Sequence, residues 1–477
     1  MAYRDLRQYL KRLEAAGLLA HVAAEVDKDW EISAVARQTF RRIPQERRPA
    51  LMFDHIKGHH IPLVVGVLGG SRAIYALAME CPIEQAQKRW AQATELPIEP
   101  RIVLDGPCQE EVYCDADAER VKLPVPVWTV GQDPGPYHTS PFVISKDPET
   151  GAQNVGVYRV QEKSARRLGI MINPPRNMNH HIRKNDAMGK PTDVAIVFGT
   201  DPVIGLAAVT PFPYGVDELA VVGGVRGEPV EVVRGKTVDL LVPATAEVVI
   251  EGHIPPGGRE QEGPFGEYAG YMGTGGNHPY IEVSCITTRH KPIYQAFMSQ
   301  MPPSESSCIK QIGRESMIFH HLRDTLGLPI KDVHLPESAG ATGLLLISMA
   351  KQNHSQPLKA MWGAWSLHDV FGKITVVVDD DIDVRDHFQV EWAMSFRTQP
   401  ASDVRLYDDT DALTLDPSQA DYSVPNESPL RRRSSKVGID ATRKHDYPPL
   451  AVPPQEHLDR VAGQWDKYGI REVGQPI

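Results

Sequence analysis

The sequence lacks several features that mark other classes of protein. It has no excess of basic residues, because 51 Lys and Arg stand against 61 Asp and Glu and the formal net charge is −10. Since nucleic-acid binding needs a basic face, no nucleic-acid partner is expected. The longest apolar runs, such as Leu344 to Ala350, are far shorter than the ~20 residues that cross a bilayer. No membrane partner is expected either.

Cysteine and aromatic residues are scarce. The five cysteines are an odd number without a CxxC pair, which predicts reduced thiols rather than a disulfide framework or a structural zinc site. The first residues have the pattern of an amphipathic helix from Tyr3 to Ala16, not that of a signal peptide, so we expect a cytoplasmic protein. Gly66, Gly69 and Gly70 fit neither a P-loop nor a dinucleotide fingerprint.

The length predicts several domains, because single cores stop growing near about 250–300 residues and this chain has 477. We expect a multi-domain α/β protein with an N-terminal α/β domain over 1–118 and a strand-rich central domain over 119–305. A C-terminal α/β domain over 306–450 and a last segment, 451–477, complete the division. The prolines clustered between Pro97 and Pro141 predict the first boundary, since proline disfavours sheet interiors.

Apolar periodicity predicts many individual elements. Strands are expected at 62–68, 194–198, 204–209, 280–287, 344–349 and 374–378, and a hairpin joins 142–146 to 154–160. The central strands would pack as a β-barrel or an open twisted sheet. Helices are expected after a cap at Asp29, near 383–396 and over 455–468. The last helix carries an apolar stripe that docks on a partner subunit or folds back on its own chain, and its members are Leu458, Val461, Trp465 and Tyr468.

Two carboxylates, Glu262 and Glu267, flank a corner with the sequence E-G-P-F-G-E. Pro264 predicts an extended Gly263, and the glycines allow a ligand to approach the backbone closely. This pattern favours general acid/base chemistry by Glu267, with Glu262 as its electrostatic partner. For an arbitrary pair of this kind, two solvated glutamates on a turn would be the more common interpretation.

A second set of polar residues lies in the segments 154–159 and 215–220. If 154–159 is a strand, Asn154 and Arg159 point to opposite faces, so one can serve a metal and the other a substrate. The planar guanidinium of Arg159 suits a carboxylate, and once buried it would need an acid such as Glu262 as a counter-charge. Taken alone, each residue would more often be a structural arginine or a surface glutamate.

Four motifs together resemble the UbiD-type decarboxylases over about residues 3–470: N-x-G-x-Y-R at 154–159, G-V-x-E at 215–218, V-P-A-T-A-E-x-V-x-E-G at 242–252 and E-G-P-F-G-E at 262–267. The resemblance implies a central split β-barrel that binds prenylated FMN. It also implies reversible non-oxidative decarboxylation of an aromatic or α,β-unsaturated acid, thioester-activated aromatic acids included. Arg159, Glu262 and Glu267 would be the catalytic set, with Arg159 binding the carboxylate and Glu267 donating the proton.

The resemblance further implies a cation beside the flavin phosphate. Asn154 and Glu218 would be ligands of Mn²⁺, Mg²⁺ or Fe²⁺, and K⁺ is an additional candidate. The third ligand of the family is a histidine, but its expected position falls here on Arg176 or Asn177. Either Arg176 holds the phosphate directly, which we favour, or His181 reaches the metal. The residues expected to contact the cofactor are Asn154, Val157, Tyr158, Arg159, Pro175, Arg176, Glu218 and Lys373.

The resemblance and the last helix also suggest partners. These are a small carboxylic acid as substrate, a flavin prenyltransferase as supplier of the cofactor, and further copies of the chain in a homodimer or homohexamer. Two alternatives remain at this point. One is a non-catalytic subunit that binds flavin; the other is a glycosidase using Glu262 and Glu267, which explains neither Arg159 nor an aromatic content of only 7%.

Overall fold

The computed structural model of the protein describes residues 3–172, 176–210, 212–367, 371–411, 415–419 and 433–469. Pro175, an expected cofactor contact, lies outside the described residues. The expected fold class is confirmed, because the chain forms several separate sheets with helices packed against them. The division into four segments stays a prediction.

The N-terminal part alternates helices with short strands, as expected. Its helices are α1 (Leu6–Ala15), α2 (Glu31–Arg42), α3 (Arg72–Met79) and α4 (Ile83–Glu95), and its strands are β1 (Leu19–Val26), β2 (Ala50–Ile56) and β3 (Leu63–Val65). The apolar stripe of α1 is buried, which explains why this helix forms where the periodicity predicts it.

The central part is dominated by strands, which are β4 (Arg101–Ile102), β5 (Glu111–Cys114), β6 (Tyr137–His138), β7 (Phe142–Lys146), β8 (Gln153–Val157), β9 (Val160–Ser164), β10 (Arg167–Ile170), β11 (Thr192–Phe198), β12 (Glu231–Arg234), β13 (Leu241–Pro243), β14 (Val248–Ile254), β15 (Arg259–Glu262), β16 (Phe265–Gly266), β17 (Met272–Gly273), β18 (Gly276–Thr288) and β19 (Tyr294–Gln295). The helices of this part are α5 (Asn177–Ala187), α6 (Pro202–Ala208) and α7 (Glu218–Arg226).

Ten of these strands form one sheet with the order β6-β9-β10-β18-β14-β11-β7-β8, and β5 and β15 also pair with β18. The strand order begins at β6 and ends at β8, and these two strands are not paired with each other. Of the two predicted arrangements, a β-barrel and an open twisted sheet, the structure therefore shows the open sheet. The expected hairpin is present as β7 and β8. Strand β19 crosses to the N-terminal part and extends its sheet in the order β1-β2-β3-β19, which ties the two parts together.

The C-terminal part is a second α/β unit. Its elements are α8 (Glu305–His320), β20 (Ile330–His334), β21 (Leu344–Met349), α9 (Gln356–Leu367), β22 (Ile374–Asp379), α10 (His387–Arg397), α11 (Pro400–Asp403), β23 (Val404–Asp411), β24 (Arg433–Ala441) and α12 (Gln455–Ala462). The sheet order is β20-β21-β22-β24-β23, with β21, β22 and β24 parallel. Within the described ranges, none of the helices has the length and apolar character that crossing a membrane demands.

Two predicted elements are wrong. The segment 204–209 is not a strand but most of helix α6, which begins at Pro202 after an Asp201 cap that accepts from the Val203 amide at 2.9 Å. Every residue of α6 is buried, and an apolar run that is buried all round cannot be assigned to helix or strand by periodicity. Asp29 does not cap α2 either, because that helix begins after Trp30, whose side chain makes no capping hydrogen bond.

The prediction that all thiols are reduced is also wrong. Cys114 on β5 and Cys285 on β18 form a disulfide across paired strands. The two cysteines are 171 positions apart, and their pairing depends on strand register rather than on sequence spacing, so the sequence did not predict it. Cys81, Cys108 and Cys308 are in the reduced thiol form.

A buried carboxylate joins the C-terminal part of the molecule to the N-terminal part. Glu315 on α8 lies 2.8 Å from His334 Nδ1, 3.1 Å from Arg385 Nη2 and 3.9 Å from Arg72 Nη1 of the N-terminal part. The Leu335 amide also donates to it at 3.0 Å. Burial alone would raise the pKa of Glu315, but His334 and Arg385 outweigh it and lower the pKa to about 2.

We therefore predict that Glu315→Gln destabilises the protein by about 3–5 kcal/mol, the usual cost of leaving buried cations without their counter-charge. Chemical denaturation measures the change. Because the pKa of this carboxyl is lowered in the folded state, the stability it contributes is present above pH 4.5 and is lost as the pH falls towards about 2. The matched control Glu14→Gln removes an exposed acid and should change stability by less than about 0.5 kcal/mol. Equal stability of the two variants would contradict the role of Glu315.

Candidate functional site

Arg159, Glu262 and Glu267 come together in a buried ion cluster. Arg159 Nε and Nη2 donate to the two oxygens of Glu262 at 3.0 and 2.8 Å, and Nη1 donates to Glu267 Oε1 at 2.7 Å. Glu262 is fully buried, whereas the Glu267 side chain is 16% exposed. Glu267 is therefore the carboxylate that a ligand can reach.

The expected corner exists, but its backbone differs from the prediction. Gly263 is not extended: it has a φ of +77°, a conformation that glycine adopts at little cost. A Cβ at Gly263 would lie 2.8 Å from Arg159 Nη2, and one at Gly273 would lie 2.9 Å from Glu267 Cγ. These two glycines thus leave the space in which the guanidinium and the carboxylate meet.

Burial and charge act in opposite directions in this cluster. Burial alone would lower the pKa of Arg159, but Glu262 and Glu267 outweigh it and raise the pKa above its ordinary value. Burial also raises the pKa of Glu267, although Arg159 and Lys310 lower it in part. Glu267 therefore holds a proton to higher pH than an ordinary glutamate.

Asn154 and Glu218 form a second buried pair. Asn154 Nδ2 donates to Glu218 Oε1 at 2.5 Å, and the amide of Val155 donates to Oε2 at 2.9 Å. Both donors are neutral, and burial raises the pKa of Glu218 to about 8. Strand β8 ends at Val157, so Arg159 lies beyond it and the argument from opposite strand faces does not apply.

Two other expected site residues are engaged by other side chains. His181 is buried, its Nδ1 lies 2.9 Å from Ser145 Oγ, and burial lowers its pKa to about 4. Lys373 donates to Asp416 at 2.6 Å and to Ser418 at 2.5 Å. In the part of the chain that the structure describes, no group of three His, Cys, Asp or Glu side chains is arranged to hold a metal ion.

A cavity of about 180 Å³ opens beside the ion cluster. Five of the expected residues contribute to its lining, which are Val157, Tyr158, Arg159, Arg176 and Glu267. A Cβ at Gly156 would lie 2.7 Å from the ring of Tyr158. The ring can occupy this position because Gly156 has no side chain.

Sequence reasoning missed three ionisable residues of the cavity wall, Tyr268, Lys310 and Arg314. Tyr268 directly follows the corner motif. Lys310 and Arg314 lie four residues apart on α8, a spacing that places both on one helix face. That spacing was the available signal, but surface helices carry basic residues at the same spacing.

Comparison with known proteins identifies the family. The chain matches the models of three domains of 3-octaprenyl-4-hydroxybenzoate carboxy-lyase (UbiD): the N-terminal domain at 10–94, the Rift-related domain at 101–302 and the C-terminal domain at 308–441. An uncharacterised protein of Archaeoglobus fulgidus is 33% identical over 98% of this chain and 99% of its own length.

Solved structures share the fold along almost the whole chain. The UbiD-class enzyme HmfF from Pelotomaculum thermopropionicum, in complex with FMN, is 34% identical with a TM-score of 0.86, covering 96% of this chain and 98% of its own. An evolved dimeric form of HmfF, in complex with prFMN, is 33% identical with a TM-score of 0.83, over 95% and 98%. The 3,4-dihydroxybenzoic acid decarboxylase of Klebsiella pneumoniae is 26% identical with a TM-score of 0.83, over 96% and 99%. The chain belongs to the UbiD family and is a decarboxylase, that is, a carboxy-lyase.

Proposed function

We propose that this protein catalyses the reversible, non-oxidative decarboxylation of an aromatic or α,β-unsaturated carboxylic acid with prenylated FMN. The observation that carries the proposal is the buried Arg159, held by Glu262 and Glu267 at the wall of a cavity. When bound, prenylated FMN supplies the electron sink that loss of CO2 from an sp² carbon requires. HmfF, which is similar over nearly its whole length, was solved with FMN and with prFMN.

Arg159 is the residue that orients the substrate carboxylate. Its guanidinium is planar, and the bidentate contact with Glu262 fixes the direction of that plane. A side chain that is already held in place loses little conformational entropy when the substrate binds. Glu262 is thus a positioning residue, because it acts through Arg159.

Glu267 is the proton donor. It is the more accessible of the two carboxylates, and its raised pKa favours the protonated form that donation needs. As the bond to the carboxylate carbon breaks and CO2 leaves, the proton on the Glu267 carboxyl moves to the substrate carbon. In the carboxylation direction the same group takes that proton back.

The residues near Glu218 fit a cation beside the cofactor phosphate. Glu218 is buried with only neutral donors, so a divalent ion would supply the missing positive charge. Oxygen atoms of Asn154 and Glu218 suit Mn²⁺, Mg²⁺ or Fe²⁺, and K⁺ would also accept them. Arg176 lines the cavity and can hold a phosphate through paired hydrogen bonds, whereas His181 is engaged with Ser145. Lys373 would have to release Asp416 to reach the cofactor.

Two macromolecular partners complete the proposal. A flavin prenyltransferase would supply the cofactor. The predicted helix 455–468 ends at Ala462, and Trp465 and Tyr468 lie on a separate short turn after it. A second copy of the chain would cover the apolar side chains of this last segment, since Leu458, Val461, Trp465 and Tyr468 are all exposed. The assembly would be a homodimer or a homohexamer, and HmfF is known in an evolved dimeric form.

Glu267→Gln should lower the turnover of the cofactor-loaded enzyme about 10²–10⁴-fold, because it removes the donated proton. Flavin content should be unchanged, since the amide oxygen can still accept from Arg159. The assay is CO2 release from a panel of aromatic and unsaturated acids, together with the flavin absorbance of each preparation. Glu260→Gln, which removes a nearby acid on β15, should retain wild-type turnover. Full activity of Glu267→Gln would exclude the proposed role.

Glu218→Gln should lower metal content and flavin retention about 10–100-fold, the range expected when the support of a metal site is lost. Metal analysis of the cofactor-loaded protein measures the first quantity and absorbance the second. His181→Asn tests whether His181 is a metal ligand together with Asn154 and Glu218. If it is not, this variant should leave metal content and flavin retention unchanged. If metal is lost from His181→Asn and kept by Glu218→Gln, the assignment is reversed.

The double variant Leu458→Ser, Trp465→Ser should dissociate the assembly, because it replaces two of the four apolar side chains proposed to be covered by the partner. Light scattering coupled to gel filtration gives the mass directly. Glu456→Gln alters the polar side of the same helix and should keep the wild-type mass. An unchanged mass of the double variant would mean that the last helix does not hold the subunits together.

A further inference from the structure

A tyrosine that the proposed function does not use lies against the corner of the ion cluster. Tyr137 on β6 is fully buried, and the pairing of β6 with β9 places it opposite Gln161, shortly after Arg159 in the chain. Its backbone is held on both sides, because its amide donates to the Pro126 carbonyl at 3.0 Å and its carbonyl accepts from Trp128 Nε1 at 3.1 Å. The central sheet therefore fixes the position of the Tyr137 ring.

The hydroxyl of Tyr137 holds the peptide group that joins Glu262 to Gly263. The Gly263 amide donates to Tyr137 Oη at 3.1 Å, and the carbonyl of the same peptide group accepts from Gln261 Nε2 at 3.4 Å. The next residue, Pro264, has no amide hydrogen that could hold the corner in the same way. Because the peptide group is planar, fixing it also limits the direction in which the Glu262 side chain leaves the backbone.

The ring of Tyr137 supports the other side of Pro264. Its centre lies 4.3 Å from that of the Phe265 ring, with an angle of 32° between the two planes. Such aromatic pairs contribute more than the burial of their surface alone. Phe265 in turn lines the cavity, and its ring centre lies 5.7 Å from the guanidinium carbon of Arg159. Tyr137 thus contacts both residues that flank Pro264.

The hydroxyl of Tyr137 also lies close to the charges of the cluster. Burial and the negative charge of Glu262 raise the pKa of Tyr137, and the positive charge of Arg159 acts against them. The hydroxyl therefore stays protonated. A neutral hydroxyl can support a carboxylate without altering the balance of charge between Glu262 and Arg159.

We propose that Tyr137 is a positioning residue for the reaction. Through its contacts on either side of Pro264 it holds the corner that carries the two carboxylates of the ion cluster. The inference rests on the proposed function and adds a residue to it. Within the described part of the chain, Tyr137 is not among the residues that line the cavity, so an effect on turnover would pass through the corner.

The test compares Tyr137→Phe with Tyr9→Phe. Tyr9 on α1 is also fully buried in the core, and its hydroxyl donates to the Ile74 carbonyl at 2.8 Å. Each variant deletes one buried hydroxyl and its hydrogen bond to the backbone, so both should lower the midpoint of chemical denaturation to a similar extent.

Turnover should distinguish the two variants in the flavin-loaded enzyme. Tyr137→Phe should lower kcat per bound flavin about 10–100-fold, because small displacements of reacting groups have effects of this size. KM should stay nearly unchanged, since the charge of Arg159 that attracts the substrate carboxylate remains. Tyr9→Phe should keep the wild-type kcat and KM.

Hydrogen exchange followed by mass spectrometry gives a second readout that does not depend on the reaction. In a peptide spanning 262–267, the Gly263 amide should be protected in the wild type and should exchange faster in Tyr137→Phe, with or without flavin. Exchange of this peptide should be unchanged in Tyr9→Phe.

Three results would overturn the inference: an unchanged kcat of Tyr137→Phe, a corner peptide that is unprotected in the wild type, and an equal loss of kcat in both variants. The third would assign the loss to general destabilisation. The proposed function fails separately, because a wild type that releases no CO2 from any acid rejects the reaction. Faster exchange confined to Tyr137→Phe would still support the contact in that case.

Discussion

The site depends on the buried positive charge of Arg159. A guanidinium removed from water needs counter-charges with good geometry, and here Glu262 and Glu267 provide them through three hydrogen bonds. Those carboxylates approach from a corner in which Gly263 and Gly273 leave no side chain in the way. The corner in turn is held by β15, which pairs with the long strand β18 of the central sheet. Sheet, glycines and ion cluster are therefore a single arrangement that presents Glu267 to the cavity.

The charges around the cavity are unevenly compensated. Arg159 has more negative charge than it needs, Glu218 has only neutral donors, and Lys310 and Arg314 have no described counter-ion. The imbalance at Glu218 corresponds to the charge of the cation proposed to bind there.

The sequence predicted those parts of the structure that local pattern determines. The order and content of the motifs predicted that Arg159, Glu262 and Glu267 share one site. The pattern of apolar residues predicted the positions of β7, β8 and β11. Helix α6 was missed because it is apolar on every face, and the Cys114–Cys285 disulfide because it depends on the register of β5 against β18. Lys310 and Arg314 could not be distinguished from surface residues, since only the packing of α8 against the cavity reveals their position.

Every proposed residue role depends on the cofactor, and one measurement tests its presence most directly: the absorbance spectrum and mass of the molecule released from protein produced together with a flavin prenyltransferase. We expect prenylated FMN in an amount equal to the protein. Protein that emerges without any flavin would contradict it, because the residues around Arg159 and Glu218 would then have another purpose.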